Sequence, residues 1–142
     1  MGPAQAILVA LIKDLFHLLS TTTGGVGELA DFLILSAFAV TAGLIHRRLP
    51  SVRGTALACA AGTVAIAVVG ALANYFLLIP FFPQIMPIDA ILSACQALNP
   101  AIDSLWAYIL FGAVPFNVAK GAVISLVTVA TYKKLGHVMK LL

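Results

Sequence analysis

The chain has 142 residues, of which 62% are hydrophobic and 9% charged, and its mean hydropathy is +1.10. A water-soluble domain of this size cannot hide so much apolar surface, because surface grows quickly relative to volume in small proteins; the solvent that fits is a bilayer. The net charge of +3 is small and not gathered into a basic patch with interleaved aromatics, which argues against nucleic acid as a partner.

The first apolar stretch, residues 3–19 (PAQAILVALIKDLFHLL), carries Lys13, Asp14 and His17. It shows no basic leader and no small-residue cleavage site, so it reads as a helix and not a secretory signal. A helix needs roughly 20 residues to cross about 30 Å of hydrocarbon, and this stretch reaches that only with its flanks. Residues 20–27 (STTTGGVG) form a turn-rich loop, with Thr23 or Gly27 expected to cap the next helix. The second stretch, residues 29–46, ends at a short basic loop, residues 47–53 (RRLPSVR). The third, residues 54–82, belongs to a run without charge from Gly54 to Ile88. It is rich in small residues (Ala58, Gly62, Ala67, Gly70, Ala71), which suit either tight bundle packing or a sliding interface with a partner subunit. Residues 83–103 place Pro83, Pro87 and Pro100 around IDAILSACQAL, an amphipathic piece too short to span and suited to the interface. The fourth stretch, residues 104–132, is interrupted only by Pro115 and Lys120.

Unpaired backbone groups are not tolerated in lipid, and no period-2 alternation argues for a barrel. The expected fold is therefore all-α: an integral membrane helical bundle of four to five membrane helices plus a short interfacial helix. Cys59 lies mid-segment and, like Cys95, is assigned to packing. Three of the eight Lys and Arg lie in residues 47–53 and three in 133–140, whereas the loops 20–27 and 83–103 hold none. The positive-inside rule then places the basic loop and the C-terminus in the cytoplasm.

Charge within a span is costly, so Lys13 and Lys120 need partners or a cavity. Asn117 and Lys120 are three apart on one helical face, just after Pro115, which cannot donate to the helix ladder and is expected to kink it. Such a group can present donors to a ligand; alternatively Lys120 pairs with Asp31 or Asp14 for stability alone. Asn74 precedes Tyr75 and Phe76, where its amide could meet the edge of a planar ligand while a ring covers its face, or where all three simply sit in an interfacial belt. Glu28 and Asp31 suit either the ligand or the N-terminus of the second helix. Trp106, Tyr108 and Tyr132 fit aromatic belts. Lys13 and His17 share a face of the first helix, and adjacent Lys13 and Asp14 are expected to point apart and find partners elsewhere. His17, His46 and His137 have no metal-ligand spacing, and there is no phosphate loop or nucleophile elbow, so no enzyme, cofactor or metal site is read.

The motifs IKDLFHLLSTTTGGVGELADFLI, ALANYFLLIPFF, NPAIDSLW and VPFNVAKG followed by ISLVTVATYKKL resemble the riboflavin-type substrate-binding (S) component of energy-coupling factor (ECF) transporters, the RibU group, over essentially the whole chain. The resemblance implies a six-helix membrane protein that captures a vitamin from outside and delivers it with a transmembrane T subunit and two cytoplasmic ATPases. Its ligand contacts carry over to Asn74, Asn117 and Lys120, with Glu28 and Asp31 as further candidates; Asp31 and Asp14 stand where the group suggests Asn. Met1 falls where the family's second helix is under way, so residues 1–142 are expected to form a single S-component domain lacking the first helix and gating loop. Riboflavin is the ligand implied, and it would be cargo and not a cofactor. An S component for another vitamin, or a non-transporting scaffold with internal ion pairs, are the alternatives.

Overall fold

The structure, a computed structural model, describes residues 2–81, 83 and 87–138, and the side chains of 135–138 are not among the features described. Lys140, one of the C-terminal cations, and the side chain of His137 therefore lie outside the described residues. Helix α1 (Pro3–Leu18) begins with Pro at its first position, and the Gly2 N–H donates to Gln5 Oε1 at 2.5 Å. Helix α2 (Val26–Arg48) follows a loop organised by hydroxyls. Thr21 Oγ1 accepts from the N–H groups of Thr23 and Gly25, and Thr23 Oγ1 accepts from Gly27 N–H at 3.1 Å. Thr23 thus satisfies a first-turn donor of α2, while Gly25 holds the cap position at φ +91°, a conformation open to glycine at little cost.

Ser51 ends the basic loop and starts α3 (Val52–Ala73) by accepting from Gly54 N–H at 2.9 Å. The helix continues without a break through a π-helical turn, Asn74–Leu78, into α4 (Ile79–Phe81). Helix α5 (Ile88–Leu98) has no buried residue, as an interfacial piece would. Helix α6 (Leu105–Tyr108), capped by Ser104, runs through a second π-turn, Ile109–Ala113, into α7 (Val114–Val138).

Among the described residues three continuous helical runs are long and apolar enough to cross a membrane: Val26–Arg48, Val52–Phe81 and Leu105–Lys134. Helix α1, at 16 residues, is about 24 Å long, short of the hydrocarbon thickness. It lies against α2, where a Cβ on Gly43 would come within 2.9 Å of Pro3. The main packing is α2 on α3 and α3 on α7. A small core joins Ala30, Ile34 and Phe38 of α2 to Cys59, Ile66 and Ala73 of α3. Many other large apolar side chains, such as Leu8, Phe16, Val64 and Leu126, point outward, as expected when lipid is the solvent.

Two small residues of α3 are taken up by contacts inside the chain. Gly62 receives the ring of Phe38, and Gly70 receives the amide of Asn117. Tight packing accounts for both. At one end of the bundle His46 meets Tyr132 edge-on at 5.2 Å between ring centroids, and Gly2 lies beside Arg47. The basic end of α2, the start of α1 and the lysines Lys133 and Lys134 of α7 therefore lie at the same end.

Candidate ligand-binding site

The two prolines of the long runs set the local geometry of the opposite end. Pro80 and Pro115 each lack the N–H that would close the helix ladder, and each ring crowds the carbonyl one turn back. Each lies two residues after a π-turn: Asn74–Leu78 before Pro80, Ile109–Ala113 before Pro115. The helix absorbs the proline by widening one turn, so the expected kink at Pro115 takes the form of a bulge.

The two bulges face each other across a cavity of about 400 Å³. Its wall takes Asp31 and Ile34 from α2, Asn74 and Leu78 from the first bulge, Tyr108 from α6, and Phe116, Asn117 and Lys120 from α7. Gly27, in the first turn of α2, also lines it, which puts it at the end of the bundle away from Arg47 and Arg48.

Both amides are buried and fixed. Asn74 Nδ2 donates to Gly70 O, and Asn117 Nδ2 to Ala113 O, each at 2.8 Å. One N–H of each amide is thus spent on its own helix, which orients the remaining N–H and the Oδ1 atom. The Tyr108 hydroxyl donates to Asn74 Oδ1 at 3.4 Å. Asn117 can stand here only because Gly70 has no side chain: a Cβ there would lie 2.5 Å from its Nδ2.

Lys120 pairs with Asp31 Oδ1, and Lys13 with Asp31 Oδ2. Lys13 also lies 2.9 Å from Asp14 Oδ1, so these sequence neighbours do meet, contrary to the expectation that they point apart. Lys120 accordingly has both things weighed for it from sequence: an acidic partner and an adjoining void. Glu28 is held elsewhere. His17 Nδ1 lies 3.2 Å from its Oε1, and the Thr23 hydroxyl donates to its Oε2 at 3.0 Å, tying the loop to α1 and α2. Glu28 is buried but does not line the cavity.

Tyr75 and Phe76 do not cover the Asn74 amide. Tyr75 stacks on Trp106 at 5.1 Å, with Phe76 against its edge, and both rings line a separate groove with Pro80 and Ile109. The rings in the cavity wall are those of Tyr108 and Phe116. Sequence reading missed both: Tyr108 was assigned to an aromatic belt, and Phe116 was not singled out. A second cavity, of about 480 Å³, lies at the basic end between α1, α2 and α7; its lining is largely Ala, Val, Leu, Phe and Gly, with Lys13, His46 and Arg47 among it. Among the described residues no group of three or more His, Cys, Asp or Glu could hold a metal ion.

Comparison with known proteins agrees with the architecture. The family model described as ECF transporter, substrate-specific component, matches residues 1–132. The chain is 31% identical over 139 residues to the riboflavin transporter RibU of Staphylococcus aureus (strain TCH60), an alignment covering 98% of this chain and 68% of that protein. It is 28% identical over 137 residues to the riboflavin transporter FmnP of Bacillus subtilis (strain 168), covering 94% of this chain and 67% of the relative. No solved structure matches the chain. A multi-pass membrane bundle with a polar cavity at one end, matched over nearly its whole length by this model, belongs to the substrate-specific components of ECF transporters.

Proposed function

We propose that this chain is the high-affinity substrate-binding subunit for riboflavin uptake through an ECF transporter, and that the 400 Å³ cavity is where the vitamin sits. The observation that carries the reading is the wall of that cavity: two immobilised amides and an ammonium, brought together in an apolar bundle. Lone polar groups in lipid are expensive, and a ligand that hydrogen-bonds to them offsets that cost. Isoalloxazine is planar and uncharged, with hydrogen-bonding groups along one edge, and the ribityl chain carries hydroxyls. Asn74 and Asn117 suit those edges, Lys120 suits a carbonyl or hydroxyl, and the rings of Tyr108 and Phe116 suit the flat faces.

The positive-inside rule supports a cytoplasmic basic end, including the C-terminus, and a cavity at the outer side of the cell membrane. Riboflavin is then cargo, captured from outside. A T subunit and two cytoplasmic ATPases are the partners this reading requires, because the family is one of transport components and not of enzymes. A scaffold reading draws on the Lys120–Asp31 pair, but a structural ion pair has no need of an adjoining cavity with two oriented amides.

The test is a riboflavin fluorescence titration of the detergent-purified protein and of Lys120→Met, with helicity followed by circular dichroism. Wild type should bind, and the variant should stay folded and lose binding by at least about a hundredfold, as for loss of a charged hydrogen bond at a buried site. A folded Lys120→Met protein that binds as tightly as wild type would remove the reading.

A further inference from the structure

In the wall of the proposed site one carboxylate holds two ammonium groups. Asp31 gives one oxygen to Lys120 and the other to Lys13, and Lys13 in turn lies beside Asp14. The formal charges of these four side chains cancel, Lys13 and Lys120 against Asp14 and Asp31. Asp14 is buried, and among the described residues its oxygens meet no partner other than Lys13, 2.9 Å from Oδ1, so moving Lys13 away would strand a charge.

Of the four, Asp31 and Lys120 face the cavity. An ammonium has three donors, and the pair with Asp31 uses one. A neutral acceptor can therefore join Lys120 without breaking the pair or changing the charge of the wall. An anion cannot: it meets the Asp31 carboxylate, and the Lys120 charge that would attract it is already matched. Within a cavity of this size an anionic group on the ligand stays close enough to the Asp31 carboxylate to feel that mismatch.

We propose that Asp31 is a specificity-determining residue, balancing the Lys13–Lys120 charge so that the cavity takes the uncharged vitamin and rejects the same molecule bearing a phosphate monoester. This rests on the reading of the cavity as the flavin site.

The experiment compares dissociation constants for riboflavin and riboflavin 5′-phosphate in wild type, Asp31→Asn, Lys13→Met and the double variant, all in detergent. The ratio of the two constants cancels any general loss of folded protein. Wild type should prefer riboflavin. Asp31→Asn, which leaves one surplus positive charge, should shift the ratio toward the phosphate ester by about tenfold. Lys13→Met should shift it the other way, and the double variant, neutral again, should return close to wild type. Ratios unchanged in the variants overturn the inference and leave the flavin site standing; no riboflavin binding by wild type overturns the site itself. Should Asp31→Asn fail to fold, Asp31→Ser, equally neutral and smaller, takes its place: a shift toward the ester supports the inference, and no shift overturns it.

Discussion

The bundle has a cavity at each end, similar in volume and different in character. The one at the basic end is walled mainly by apolar groups such as Ala6, Ala10, Ala39, Ala42 and Phe38, with Lys13, His46 and Arg47 but no side-chain amide or carboxylate among the described residues that line it. The other sets Asp31, Asn74, Asn117 and Lys120 among apolar groups. In lipid an apolar gap between helices costs little, since acyl chains can fill it. A buried amide or ammonium costs several kcal/mol unless something compensates it. Volume alone is therefore a poor guide to a site in this molecule. The larger cavity needs no occupant, while the smaller one is built: two prolines widen two helices toward it, and a glycine admits an amide between them.

Three substitutions sharpen that contrast, taken from the strongest effect to the weakest. Asn117→Leu keeps the volume but removes the fixed amide. Riboflavin affinity should fall roughly tenfold to a hundredfold, with the protein still extractable and helical, since a lost hydrogen bond that leaves a ligand group unpaired costs about 1–3 kcal/mol. Titration calorimetry or fluorescence would show it, and equal affinity would mean the two ends do not differ in the way argued. Gly70→Ala strikes the same end through packing. The new methyl meets Asn117, so thermal stability should drop by about 1–3 kcal/mol and affinity several-fold with it. Gly43→Ala belongs to the basic end. Its Cβ would press Pro3, loosening α1 on α2 by about 1 kcal/mol, while riboflavin affinity should stay within about twofold of wild type. A large affinity loss in that variant would show the ends to be coupled.

Much of this was legible in the sequence, because lipid imposes simple rules. The apolar stretches at 29–46, 54–82 and 104–132 became Val26–Arg48, Val52–Phe81 and Leu105–Lys134, and the basic residues gather at one end. Asn117 and Lys120 were singled out as polar groups in expensive places, Asn74 for its aromatic neighbours and Asp31 as a further candidate, and the structure brings all four to one cavity. Glu28 has the same residue chemistry but is claimed by His17 and Thr23, which only the folded loop reveals. Tyr108 was hidden by helical arithmetic. It stands nine positions before Asn117, which in an unbroken α-helix places the two about 180° apart. The bulge at Ile109–Ala113 takes up one extra residue and brings that angle down to about 80°, so Tyr108 turns inward. A period read straight through Pro115 sends it to the lipid instead. The approach of Gly70 to Asn117 depends on how α3 and α7 cross, and no local pattern encodes it.

The paired bulges also have a mechanical consequence. A helical rod is least stiff where its ladder skips a rung, and both soft joints lie at the level of the polar cavity, beyond the Ile66 packing that binds α2 to α3. Bending strain in these two rods would concentrate there, so the tips beyond the cavity can splay or clasp while the trunk keeps its shape.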